Sequence, residues 1–213
     1  MAEFESHSWE GDPIATLRES NSIMDYLPLI QVSDEYNFIL NGNEIKCNLK
    51  CCKTFALSKE IKEPIYSLLE VNMRSFYEST WGWDRDSKTK ELFSPSSYFI
   101  TLTTTDSELV AFAMFKFSWD DEDEPEFPVL FCYELQVAPK YQGCGVGKML
   151  VEIQLKIAKI RNMWKTMLTC FKINCKAMQF YLKSGFGIDA NSPSVHSAVV
   201  DYEILSDKPR RKN

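Results

Sequence analysis

The chain has 213 residues, 45% hydrophobic and 25% charged, the composition of one globular domain with extensions and enough length to bury a substantial core. A net charge of −6 and a pI near 5.1 argue against nucleic acid as a direct partner, which needs a basic surface, and favour cationic partners. No apolar run is long enough to span a membrane, and the first six residues lack the features of a signal peptide, so neither a membrane nor secretion is expected and a cytoplasmic or nuclear home follows.

Residues 1–30 show no clear period and contain Gly11, Pro13 and Pro28; they read as an irregular extension ahead of a domain over 31–207. Residues 36–40 and 45–50 read as two short strands around Asn41-Gly42, a pair that tolerates the positive φ of a type I′ turn. From Pro64, the apolar residues Ile65, Leu68, Leu69, Met73, Phe76 and Tyr77 recur at helical spacing, and a proline in the first turn suits a helix start. Gly82 ends that pattern between Trp81 and Trp83, and these rings serve either as core plugs or, with Tyr77, as the lining of a groove for an incoming chain.

Residues 97–103 and 109–117 read as interior strands. The run 120–126 holds six acids in seven residues, readable as a solvated loop or as a carboxylate cluster steering an arginine- or lysine-bearing peptide. An apolar strand, 131–137, then leads to Gln142-Gly-Cys-Gly-Val-Gly-Lys148 and a helix of about four turns ending near Ile160. Strand 163–170, an amphipathic helix opened by Asn174 and stopped by Gly185, and strand 198–205 complete the domain. The basic tail 208–213 is a nuclear address or a solvated end.

Seven cysteines, at 47, 51, 52, 132, 144, 170 and 175, form no Cys-x-x-Cys pair, and only His7 and His196 accompany them. Neither a metal site nor a disulfide framework is expected. Cys132 and Cys170 read as core residues. Cys144, in the glycine turn, is a candidate nucleophile with no nearby histidine to serve as its base.

The glycine turn is the sharpest signal. Gly145 and Gly147 allow a tight turn whose amides converge before a helix N-terminus, an anion site suited to a pyrophosphate. The spacing Gly143-x-Gly145-x-Gly147 does not give a dinucleotide fingerprint, and no Gly-Lys-Ser/Thr follows as in a nucleotide triphosphatase loop. What remains, Gln142-x-x-Gly145-x-Gly147, together with Asn174 and the ending Phe180-Tyr-x-Lys183-x-Gly185-Phe186, resembles the GNAT acetyltransferase family. The resemblance implies an α/β (α+β) fold, a mixed, mostly antiparallel sheet flanked by helices in a single domain, with acetyl-CoA as co-substrate and no metal.

Thr80-Trp-Gly-Trp83, Tyr133-Glu-Leu-Gln136, Met167-Leu-Thr-x-Phe171-Lys-x-Asn174, Ser192-Pro-Ser194 and Tyr202-Glu-Ile-Leu205 further resemble the family's histone-specific N-alpha-acetyltransferase branch. That likeness implies transfer to the N-terminal amine of histone tails beginning Ser-Gly-Arg-Gly, by a monomer needing no auxiliary subunit, in nucleus and cytoplasm. It implies that Leu135, Gln136 and Val137 pair with the pantetheine arm. Gln142, Gly143, Cys144, Gly145, Val146, Gly147 and Lys148 would hold the pyrophosphate, and Asn174 would touch the cofactor. Tyr77, Trp81, Tyr133, Thr169, Asn191 and Tyr202 would surround the peptide end, with Asp120 and Asp121 facing its arginine. Phe131 stands where a tyrosine is expected, and the acidic loop is longer than in that branch.

Acetyl transfer needs a neutral amine, and Glu134 is the first candidate to take its proton through one water, or else to anchor the ammonium. Tyr133 and Tyr202 would position the amine or share the relay, and the Val137 amide would meet the oxyanion; the resemblance implies that Tyr181 protonates the departing thiolate. Two rivals stand: a lysine or polyamine acetyltransferase of the same family, and a non-catalytic acyl-CoA-dependent binder of basic peptides.

Overall fold

The computed structural model describes residue 9, residues 11–121 and residues 126–208; the middle of the acidic run, 122–125, and the tail from 209 on lie outside them. Strands β1 (Glu35–Leu40) and β2 (Asn43–Lys53) pair antiparallel across Asn41 and Gly42, whose φ angles of 51° and 82° are of the sign a type I′ turn demands. The antiparallel run continues through β3 (Tyr98–Thr104), β4 (Leu109–Trp119) and β5 (Pro128–Val137). Strand β6 (Thr166–Phe171) pairs parallel with β5, after the helical crossover that parallel neighbours require, α4 (Val146–Ile160). Strands β7 (Gly187–Ile188) and β8 (Tyr202–Ser206) close the sheet antiparallel, giving eight described strands in the order β1-β2-β3-β4-β5-β6-β8-β7. This is the mixed, mostly antiparallel α/β sheet that was expected.

Helices cover both faces because the strand interiors alternate. Tyr98, Ile100, Ala113 and Phe115 pack with Leu150, Ile153 and Ile157 of α4. Phe99, Phe112 and Met114 point the other way, onto Ile65 and Leu69 of α2 (Lys59–Glu78) and Leu92 of α3 (Arg85–Leu92). Helix α5 (Cys175–Lys183) seats Tyr181 beside Val151, Leu168 and Leu205.

Three expectations need correction, and one helix was not expected at all. Residues 1–30 are not irregular throughout: α1 (Pro13–Ser22) forms behind Asp12, whose carboxylate accepts from the amides of Ile14 and Ala15 at 3.0 and 3.1 Å, and bends and turns follow it to residue 30. Leu17 packs against the core, and polar anchors near and far in sequence hold the end of the helix. The hydroxyls of Tyr26 and Tyr98 donate to the Ser20 carbonyl, and Arg161 Nε donates to Ser20 Oγ. Helix α2 starts at Lys59, not Pro64, which sits inside it and exposed. Helix α3 was not foreseen, since Arg-Asp-Ser-Lys-Thr-Lys-Glu-Leu has no apolar stripe; Asp84 caps it through the Ser87 amide at 2.6 Å. The last strand also begins only at Tyr202, after a 3-10 turn over Pro193–His196.

Two irregularities position the site. Met114 pairs with Glu134 and Phe115 with Cys132, so Tyr133 is the extra residue of a bulge that re-aims the strand. On its other edge β5 pairs with β6 only from Leu130 to Cys132. Beyond Cys132 that edge has no strand partner among the described residues, and a cleft opens there.

Candidate active site

The cleft has a volume of about 1370 Å3 and runs from the glycine turn, along β5, to the aromatic rings at the end of α2. At the turn, Gly143 and Gly145 take φ of 82° and 84°, the left-handed region where a side chain is strained. Gly145 is the N-cap of α4 and brings no side chain to its first amides, which lack intrahelical acceptors. A Cβ on Gly147 would lie 3.4 Å from the Phe180 ring and 3.7 Å from Val137, in ordinary contact where α4, α5 and β5 meet. Gln142 is fixed from both ends: its Nε2 donates to the Val137 carbonyl at 3.1 Å and its Oε1 accepts from Lys176 at 2.7 Å.

Bare amides at a helix N-terminus, flanking lysines and an open strand edge fit a diphosphate carried on a pantetheine arm. Gln142, Gly143, Gly145, Gly147, Lys148 and Asn174 all line the cleft. Cys144 and Val146 are not among the residues that line it: Val146 is buried and Cys144, partly buried, packs against the same apolar cluster. Cys132 and Cys170 are core residues as expected, their thiols pushed by burial up to about 12 and about 11. The Asn174 Oδ1 caps α5 through the Ala177 amide at 3.1 Å. Gln136 turns its side chain from the strand edge to Glu134 and Asn72, leaving its backbone for the arm.

At the far end, Trp81 is 53% exposed although its ring meets Phe171 at 4.6 Å, Tyr202 at 5.3 Å and Tyr77 at 6.0 Å. These four rings form a wall, and Trp83 joins it through Tyr77 at 5.6 Å. Thr169 lines the cleft on β6. Tyr133 lies against Phe131 at 5.0 Å, with the Lys116 ammonium 4.5 Å above its ring. Tyr181 is buried, and that burial pushes its phenol well above the ordinary value, so it stays protonated.

Glu134 is 4% exposed. Its Oε2 accepts from Gln136 Nε2 at 2.9 Å, and its Oε1 faces the Lys88 ammonium at 3.1 Å. Burial raises its carboxyl above the usual range, while Lys88 and the Gln136 bond pull the other way. Asn72 steadies the strand, donating to Gln136 Oε1 at 3.0 Å and to the Val137 carbonyl at 3.1 Å.

The acidic loop and the loop after β7 are tied together. Asn191 Nδ2 donates to the Asp120 carbonyl at 3.2 Å, and its amide donates to Asp189 at 2.9 Å. The Asp120 Oδ1 closes its own loop by accepting from Phe127 at 2.8 Å and Glu126 at 3.2 Å. Asp120 and Asp121 both line the cleft, so Asp120 shapes the rim as well as charging it.

Reading the sequence missed Asn72, Lys88, Glu91 and Lys176, which line the same cleft. Lys88 stands in a helix with no periodic signal. Phe171 was part of a quoted motif, but nothing in its spacing marked it as a wall of the site.

The profile of the acetyltransferase (GNAT) family matches residues 63–186. Among solved structures, the GNAT domain of S. lividans PAT superposes with a TM-score of 0.57 at 14% identity, over 81% of this chain and 95% of that one. The NatC complex bound to Gag peptide and CoA gives 0.55 at 16% identity, over 76% and 98%. The PaiA N-acetyltransferase of Thermoplasma acidophilum, in complex with coenzyme A, gives 0.54 at 18%, over 76% and 99%. At these identities the likeness is one of fold.

Proposed function

The chain belongs to the GNAT acetyltransferase family, and from that premise we propose that it moves acetyl from acetyl-CoA to the N-terminal amine of histone tails beginning Ser-Gly-Arg-Gly, as in N-alpha-acetyltransferase D. Transfer is direct, with both substrates in the cleft, and the enzyme acts as a monomer without an auxiliary subunit, in nucleus and cytoplasm. The observation that supports this most is one continuous cleft with a phosphate-type turn at one end and, at the other, a buried carboxylate beside four aromatic rings under an acidic rim.

Acetyl-CoA supplies an acyl group already activated as a thioester. The amides around Gly145 hold its diphosphate, and the open edge of β5 at Leu135, Gln136 and Val137 aligns the arm. An α-amine, whose pKa is near 8, arrives largely protonated. Glu134 takes that proton through one water, and Tyr133 and Tyr202 orient the amine. The Tyr181 hydroxyl, kept protonated by burial, offers its hydrogen to the departing sulfur. Asp120 and Asp121 receive the arginine side chain.

The test is mass spectrometry of a Ser-Gly-Arg-Gly peptide that also carries a lysine, after incubation with acetyl-CoA and the chain. Acetate on the terminal amine is expected. Acetate on lysine alone would move the assignment to a side-chain or polyamine enzyme, and binding of both ligands without turnover would make the chain a reader of basic peptides.

A further inference from the structure

Lys88 is the outlier of α3. The other charged residues of that helix are exposed or partly so, whereas Lys88 is 8% exposed, although the helix has no apolar stripe to justify turning a lysine inward. A buried ammonium is retained only where partners replace its water. Here there are three. Its Nζ donates to the Tyr77 hydroxyl, lies 2.9 Å from Glu91 Oε2 and 3.1 Å from Glu134 Oε1, and sits 4.4 Å from the centre of the Tyr77 ring.

The arrangement extends on both sides. Asn72 donates to Gln136, Gln136 to Glu134, and Lys88 meets Glu134 on its other oxygen. Glu134 Oε2 therefore has a hydrogen-bond donor and Oε1 an ion-pair partner, and rotation of the group gives up one or the other. One cation between two carboxylates leaves a negative charge in the wall, which an incoming ammonium would balance.

We infer that Lys88 is a positioning residue, fixing the Glu134 carboxylate and the Tyr77 hydroxyl at the substrate end of the cleft and keeping that carboxylate charged once the cleft is dry. The catalytic side of this inference rests on the reading of Glu134 as the group that takes the amine's proton. The charge state of Glu134 does not. The groups facing the pair are Tyr77 from α2, Glu91 from α3, Cys132 and Gln136 from β5 and Tyr181 from α5. Burial works to lower the Lys88 ammonium, but Glu134, Tyr77 and Glu91 hold it above its ordinary value. In Lys88→Met, desolvation, which favours the protonated form of Glu134, is joined by Glu91 and opposed by the Gln136 hydrogen bond alone.

The experiment compares full-length wild type with Lys88→Met, Lys88→Gln and Lys88→Arg, all first checked for coenzyme A binding by calorimetry. Isotope-edited infrared spectra at neutral pH should show an ionised Glu134 in wild type and Lys88→Arg. A protonated carboxyl band should appear in the Met and Gln variants and vanish when Glu134→Gln is added to either. In peptide assays the acidic limb of kcat/KM should move up by about 1–3 pH units in the neutral variants and return in Lys88→Arg. An ionised Glu134 in a folded, CoA-binding Met or Gln variant overturns the inference. So does an unshifted limb. Failure of wild type to acetylate any amine, with the infrared result as expected, would instead remove the acetyl-transfer reading and leave the pairing in place.

Discussion

Glu134 and Trp81 are opposite kinds of site residue, and substitution should separate them. Glu134 is buried with both oxygens engaged, so Glu134→Gln keeps the shape and removes the charge. If it takes the amine's proton, kcat should fall roughly 10²–10⁴-fold with peptide KM little changed; a raised KM at unchanged kcat would make it an anchor. Trp81 is half-exposed, with its ring edge-on to Phe171 and Tyr202. Trp81→Ala should therefore cost little stability while raising peptide KM about tenfold, which a denaturation midpoint and steady-state kinetics would check together. The aromatic pattern around Gly82 and the resemblance to a family brought out both residues. They did not bring out Lys88, because burial of a lysine on a polar helix is decided by what lies above it, and nothing in residues 85–92 encodes the carboxylate of a distant strand.

Elements with local causes were legible. The hairpin at Asn41-Gly42 and the strand, glycine turn and helix from β5 to α4 are each set by residues adjacent in sequence, and they formed where expected. Elements held by distant partners were not: α1 depends on Tyr98 and Arg161, and α3, without an apolar stripe, turns Lys88 in toward Glu134 of β5. The glycine turn is the element to test. Gly145→Ala must hold φ at 84°, at a cost of roughly 1–2 kcal/mol for a left-handed alanine. Gly147→Ala instead places a methyl 3.4 Å from Phe180. Both should weaken coenzyme A binding about tenfold by calorimetry with the acidic limb of the pH profile unmoved. Unchanged affinity in both would mean that the diphosphate does not sit on these amides.

At the scale of the molecule, the last third of the chain is fastened to the sheet by buried carboxylates, and this sets its response to acid. Asp189 is 3% exposed and accepts from Lys165 at 2.7 Å; burial alone would raise its carboxyl, but the Lys165 bond holds it below the ordinary value. Glu203 is likewise held low against its burial by the hydroxyls of Ser192 and Ser194 and by the Lys172 ammonium. Because both are depressed in the fold, the stability they confer is complete above the unfolded values, near 4, and is lost as pH falls through the folded ones. Asp189→Asn removes one of the two proton uptakes but leaves Lys165 buried beside a neutral partner. It should destabilise the protein by about 3–5 kcal/mol at neutral pH and flatten the fall of stability below pH 4, measured by urea unfolding across pH; an equally steep fall would place the acid lability elsewhere. The same carboxylate orders Asn191, which holds the Asp120 carbonyl. In this variant, therefore, peptide KM should rise more than the KM for acetyl-CoA, since the loss falls at the substrate end of the cleft and the glycine turn is untouched.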